Sequence, residues 1–158
     1  MIATNSMAQK KTTVNIKRVT STQDLTQAFS VRMRVFVKEQ KVPAEIELDR
    51  DDERAMHFLA TLASGRAVGT ARLVVKHGRA KIGRMAVLKS YRRMGIGKQL
   101  LKRAIAAAKR LRAQSIYLHA QVPVIGFYER LGFQSLGKTF DEAGIAHRKM
   151  ILKETHRS

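Results

Sequence analysis

A mixed sheet flanked by helices, in one domain of the α/β (α+β) class, is predicted by three observations. Short runs of alternating apolar residues recur along the chain, several of them joined by two- or three-residue turns that contain glycine. One long stretch switches to a helical period, with Leu100, Leu101, Ala104, Ile105, Ala108 and Leu111 on one face. That helix stands between two strand-like runs, so its connection is a parallel crossover, while the hairpins on either side are antiparallel.

The elements follow in order. Residues 1–12 read as a disordered lead and 13–158 as the folded domain. Val14–Val19 alternates and forms a first strand. Ser21 with Asp24 resembles a capping box, Asp replacing the usual Glu or Gln. The helix that follows turns Leu25, Ala28, Phe29, Val31 or Arg32, and Phe36 inward and ends near Gln40. Lys41–Glu53 contains Pro43 and most of the acids; it reads as a loop or short irregular helix, long enough to be functional. Ala55–Ala63, Ala67–Lys76 and Arg79–Val87 form a meander with turns at Ser64–Arg66 and His77–Gly78. After a polar break at Lys89–Tyr91 and a glycine turn at Arg92–Gly97, the long helix runs from Gly97 to about Arg112. Ser115–Gln121 is a strand. Pro123 opens a short helix over Val124–Leu131 that Gly132 ends. Phe133–Phe140 and Ile145–Leu152 form a last hairpin across Asp141–Gly144.

Composition narrows the function. The 158 residues include no cysteine, which excludes disulfides, thiolate metal sites and a cysteine nucleophile. The histidines lack ligand-like spacing, so no metal is expected. No apolar run approaches about 20 residues, so no membrane span is expected. The first twenty residues lack the apolar core of a signal peptide, and the expected location is cytoplasmic. The net charge of +19 is unevenly spread: seven of twelve acids lie between Glu39 and Glu53, and none lies between Arg54 and Tyr128, an interval with sixteen Lys and Arg. Such a surface suits a polyanion, either cofactor phosphates or nucleic acid. A generally basic composition that serves solubility accounts for it equally well.

The stretch from Ile82 to Lys102 organises the rest. Strand, glycine turn and helix in that order present free backbone N–H groups at a helix N-terminus, where a phosphate or pyrophosphate binds well. Two familiar phosphate loops fail here. A P-loop requires Gly where Arg92 stands and Ser or Thr where Gln99 stands; the dinucleotide fingerprint requires Gly where Leu100 stands. What remains is Arg-x-x-Gly-x-Gly at Arg92, Gly95 and Gly97.

Tyr91-Arg-Arg-Met-Gly-Ile-Gly-Lys-Gln-Leu-Leu101 resembles the acetyl-CoA pyrophosphate loop of the GNAT N-acetyltransferase superfamily, and Phe127-Tyr-Glu-Arg-Leu-Gly-Phe133 its second signature. Within it, Arg34–Pro43, Glu47–Asp49, Val68–Arg72, Gly83–Val87 and Gly144–His147 resemble the ElaA/YjcF-like branch. The resemblance implies a GNAT-like mixed sheet with acetyl-CoA as co-substrate. Met85, Ala86 and Val87 would pair with the pantetheine arm as an added strand would. The N–H groups of Arg93, Met94, Gly95, Ile96, Gly97 and Lys98 would cradle the pyrophosphate, with Arg92 and Lys98 adding charge. Gln121 stands where many relatives carry Asn, a cofactor-binding position.

With no cysteine to carry the acetyl group, direct attack by an amine is the expected chemistry. An alkylammonium of pKa about 10.4 is roughly 0.1% neutral at physiological pH, which costs about 4 kcal/mol, so a base or water relay is expected. A backbone N–H at Val87 or its neighbour would stabilise the oxyanion. Tyr128, the tyrosine of the second signature, would protonate the leaving thiolate. The base is open, since the strand before the loop offers Gly83 and Arg84 where many relatives use Glu. His119 is a candidate for meeting the substrate, although a satisfied core histidine is the commoner case. Glu39 and Asp49 are candidates for holding a cationic amine, whereas Asp51, Asp52 and Glu53 read as a solvated acidic loop. The acceptor is unidentified and the oligomeric state is open, a homodimer being one option. Two competing classes are a basic module bound to RNA or the ribosome, disfavoured by 6% aromatics and no Trp, and a non-catalytic acyl-CoA sensor.

Overall fold

The computed structural model describes residues 13–154, so the expectation for residues 1–12 lies outside the described residues. Seven strands form one sheet: β1 (Val14–Arg18), β2 (Met56–Leu62), β3 (Ala67–Lys76), β4 (Arg79–Val87), β5 (Ser115–Gln121), β6 (Phe133–Glu142) and β7 (Ile145–Leu152). Their order is β1-β2-β3-β4-β5-β7-β6. All neighbours are antiparallel except β4 and β5. The mixed sheet with a single parallel crossover is as the sequence predicts.

Helix α1 (Thr22–Arg32) packs over β2, β3 and β4. Ser21 caps it by accepting from the Asp24 N–H at 3.1 Å, but the Asp24 carboxylate pairs with Lys17 instead of completing a capping box. Past Arg32 the helix widens into a π-helix over Met33–Glu39, closed by Gln40 N–H donating to Val35 O. Such widened turns cluster at functional sites because they re-aim the residues after them. Lys41–Glu53 holds two short helices, α2 (Ala44–Glu47) and a 3₁₀ turn at Arg50–Glu53.

Helix α3 (Ile96–Arg110) crosses the other face, burying Ile96, Leu100, Leu101, Ala104 and Ala108 against β3 and β4. Gly69 lets it approach: a Cβ there would stand 3.0 Å from Leu100 Cδ1 and 3.2 Å from Ile96 Cγ2. Leu111, predicted to face inward, is instead half exposed, because the helix stops at Arg110 and Leu111 is already its cap. Pro123 opens a 3₁₀ turn, and the helix that follows, α4 (Ile125–Glu129), is shorter than predicted. The last hairpin also differs: β6 continues to Glu142, and a two-residue turn at Ala143-Gly144, both at positive φ, replaces the predicted four-residue one.

Two features of β4 position the site. First, β4 and β5 pair only from Arg79–Ser115 to Ile82–Leu118; beyond that they part, leaving Gly83–Val87 facing His119–Gln121 across a fork. Second, a bulge at Arg84, with φ 50°, shifts the β3–β4 register between Thr70 and Arg72. Among the described residues no helix is long and apolar enough to cross a membrane.

Candidate active site

The glycine turn closes the mouth of the fork. Gly95 caps α3 at φ 79°, a backbone conformation costly for other residues. Gly97 lies between two walls: a Cβ there would meet Phe127 Cζ at 3.6 Å and Val87 Cγ2 at 3.9 Å. The start of α3, the end of β4 and α4 therefore converge at Gly97, and no acid lies in the first turn of α3. Met94, Gly95 and Lys98 are exposed there and Ile96 is buried. An anion at this helix end meets N–H groups without a neighbouring carboxylate to repel it.

Val87 N–H points into the fork. Leu88 N–H donates to Val68 O, so in the alternating ladder the neighbouring pair Gly69–Val87 is a non-hydrogen-bonded one and the Val87 peptide groups face away from β3. The Val87 carbonyl accepts from Arg92 Nε at 2.9 Å. The same guanidinium grips both oxygens of Glu39, at 2.7 and 2.8 Å. Arg92 thus ties β4, the glycine turn and the end of the π-helix together, and its donation holds the Glu39 carboxyl below the usual range.

Tyr128 is packed edge-on between Phe127 and Phe133. Burial pushes its phenol up to about 12, so the proton stays on the oxygen at any ordinary pH. Across the fork, Gln121 and Gln40 exchange amide hydrogen bonds of 2.8 and 3.1 Å. The π-helix delivers Gln40 to this position, and sequence reasoning missed it. His119 is half-buried on the side of the sheet that carries α1, with Nδ1 3.0 Å from Glu142 Oε1.

Asp49 is not a free carboxylate. Arg72 and Arg84 hold it at 2.6 and 3.2 Å, and it belongs to a cluster of three arginines and three acids. Arg32, fully buried, donates to Glu47 Oε1 at 3.0 Å and to Asp52 at 2.7 and 3.2 Å. Asp52, read from sequence as a solvated acid, is 9% exposed; the 3₁₀ turn folds it under the loop, where Arg32 and Arg72 both reach it. Burial alone would raise its carboxyl, but donation from Arg32, the Asp49 N–H and Arg72 outweighs that and lowers it to about 2. Burial raises Glu47. Among the described residues no group of three His, Cys, Asp or Glu is arranged to hold a metal.

The family model described as an acetyltransferase (GNAT) domain matches residues 13–154, the whole of the described chain. The chain belongs to this family. The GNAT chain is 38% identical over 130 residues to the uncharacterized N-acetyltransferase YjcF of Bacillus subtilis, covering 82% of this chain and 92% of that one. It is similar to the crystal structure of an acyl-CoA N-acyltransferase from Pseudomonas aeruginosa, with TM-score 0.77 and 30% identity over 89% of this chain and 99% of the other. Escherichia coli ElaA shares the fold, with TM-score 0.80 and 24% identity over 89% and 100% of the two chains. The GNAT domain is an acetyltransferase.

Proposed function

We propose that this acetyltransferase moves the acetyl group of acetyl-CoA directly to a primary amine of a small molecule or peptide. The observation that carries the reading is the fork between β4 and β5, open along the backbone of Met85, Ala86 and Val87 and ending at an acid-free helix N-terminus. The pyrophosphate lies on the N–H groups of Arg93–Lys98, with the Lys98 ammonium beside it. The pantetheine arm runs into the fork as an added strand.

Val87 stands beside Gly97, so its N–H meets the arm near the phosphate end, and Met85, two residues deeper, is better placed to donate to the oxyanion. Arg92 is spent on Val87 and Glu39 and serves as a clamp that shapes the cradle. The Gln121 amide sits at the fork's mouth, where it can exchange Gln40 for a donor amide. Glu39 and Asp49 hold the protein's own guanidinium groups, so their part in acceptor binding is to shape the rim. The neutral amine attacks the thioester carbon, the oxyanion collapses, the carbon–sulfur bond breaks, and the sulfur takes a proton from Tyr128.

The test pairs calorimetry of acetyl-CoA binding with a screen of alkylamines, polyamines, aminoglycosides and peptides, followed by free thiol. Binding with CoA release for at least one amine class is expected. Binding without release from any amine would make the protein a sensor; no binding, together with salt-sensitive RNA affinity, would make it a polyanion-binding module.

A further inference from the structure

The donor's cradle opens on the α3 side of the sheet. On the opposite side, α1 packs on β2–β4, and the neighbouring face of β5, β7 and β6 carries mostly half-buried side chains. Tyr117, His119 and Gln121 alternate onto it from β5. Strand register brings His147 and Lys149 of β7, and Phe140 and Glu142 of β6, to the same face, with Lys81 of β4 beside Tyr117. The rings form a wall: His119 meets Phe140 edge-on at 5.0 Å, and Phe140 stacks on His147 at 6.0 Å.

At its centre the geometry is that of an oriented base. Glu142 accepts from His119 Nδ1 at 3.0 Å. An ionised carboxylate can only accept, so the neutral ring carries its proton on Nδ1 and leaves the Nε2 lone pair free. His147 donates from Nδ1 to Ile145 O at 2.7 Å, and its Nε2 stands 3.6 Å from the second Glu142 oxygen. The carboxylate is therefore flanked by both rings. Hydrogen bonding from His119, assisted by the charge of Lys81, lowers the Glu142 carboxyl to about 2.

We infer that His119 Nε2 takes the proton of the incoming ammonium and that Glu142 positions the ring for it. The inference rests on the acetyl-transfer reading above. His119 is the first residue of β5 beyond the last parallel pair, Ile82–Leu118, and so lies at the apex of the fork. Parallel register sets His119 level with Gly83, so a thioester held at the Met85 N–H stands two residues, about 7 Å, above it. The acceptor amine and the imidazole side chain span that gap, the donor coming from one face of the sheet and the acceptor from the other.

The ammonium gives one proton to Nε2 and becomes a neutral amine. Nitrogen bonds to the thioester carbon, and the adduct's second nitrogen-bound proton leaves through His119 after the first has passed to solvent. The departing sulfur takes the Tyr128 proton, which solvent replaces. The net products are amide, CoA thiol and one proton. The charged and titratable groups facing the ring are Glu142, His147, Lys81 and Lys149, with Tyr117 alongside. The two lysines disfavour an ammonium at this spot and so favour the neutral amine that must attack.

His119→Ala and Glu142→Gln test this against wild type, using the best alkylamine of the screen and hydroxylamine, which is largely neutral at assay pH. His119→Ala is expected to lose about 10²-fold in kcat/KM with the alkylamine and under about tenfold with hydroxylamine. Its acetyl-CoA affinity is unchanged, and added imidazole restores rate. Glu142→Gln, whose amide can donate to Nδ1 as well as accept from it and so no longer fixes the tautomer, is expected to show the same acceptor-selective loss at smaller size, in kcat rather than KM. Equal losses with both acceptors in either variant and no imidazole rescue would overturn the inference while leaving acetyl transfer standing. Wild type that releases no CoA with any amine would sink both.

Discussion

Replacing Asp52 with Ala is expected to cost about 3–5 kcal/mol of folding stability, the usual penalty for breaking a buried ion pair from one side. In a chain of this size that lowers Tm by about 10 °C or more. The reason lies in what remains. Arg32 is fully buried, and with Asp52 gone its Nη1 loses a 2.7 Å partner that nothing else can supply. Arg72 loses one of two carboxylates. The same residue sets a pH signature. Its carboxyl sits at about 2 in the fold against 3.8 for an unperturbed Asp, so its contribution is complete above pH 3.8 and fades as pH falls toward 2, by about 2 kcal/mol. Glu47 has the opposite sign: burial raises it from 4.5, so its neutral form is favoured and it subtracts from stability as pH rises past that value. Thermal melts of wild type and Asp52→Ala between pH 2 and 7 check this. Curves that run parallel below pH 4 would reject the assignment.

Tyr128→Phe is expected to lower kcat by about 10²-fold or more, within the range for a lost general acid, while acetyl-CoA affinity and melting temperature stay close to wild type. The substitution removes one oxygen from a ring whose packing against Phe127 and Phe133 is unchanged. Because burial holds the phenol at about 12, the acid remains loaded through the whole working range. An alkaline fall in rate below pH 10 would belong to another group, and it should persist in the variant. Equal turnover in the two proteins would reject the acid role.

The glycine turn and the long helix were legible because each is local: a turn needs its own glycines, and a helix repeats its own period. The ion cluster was not. Helical spacing offered Val31 or Arg32 for the inner face, and the partners of Arg32 lie 15 and 20 residues on, in a loop without period. Asp49 and Asp52, which form a capping box that buries Asp52, look in sequence like any acidic run. Glu142 was hidden for a different reason. Read as part of a four-residue turn it points nowhere in particular; with the turn confined to Ala143-Gly144 it ends β6, opposite Ile145 and on the His119 face. The Gly at the second turn position was the available sign. The π-helix has no mark in the sequence, which is why Gln40 went unnoticed.

The cluster of Arg32, Arg72 and Arg84 with Glu47, Asp49 and Asp52 also governs how molecules meet this protein. Three positive charges cancel three negative ones within it, so at a distance it is silent, and the entire +19 is left to the rest of the chain. On the acetyl-transfer reading proposed above, a multiply anionic donor would be drawn in from beyond contact range, while an ammonium would be pushed away until the bound phosphates had dimmed that field. Donor first and acceptor second would then be the order set by diffusion. Salt should blunt it, since the field is screened over about 8 Å at physiological ionic strength, and a donor on-rate that falls as salt is added in stopped flow is its signature.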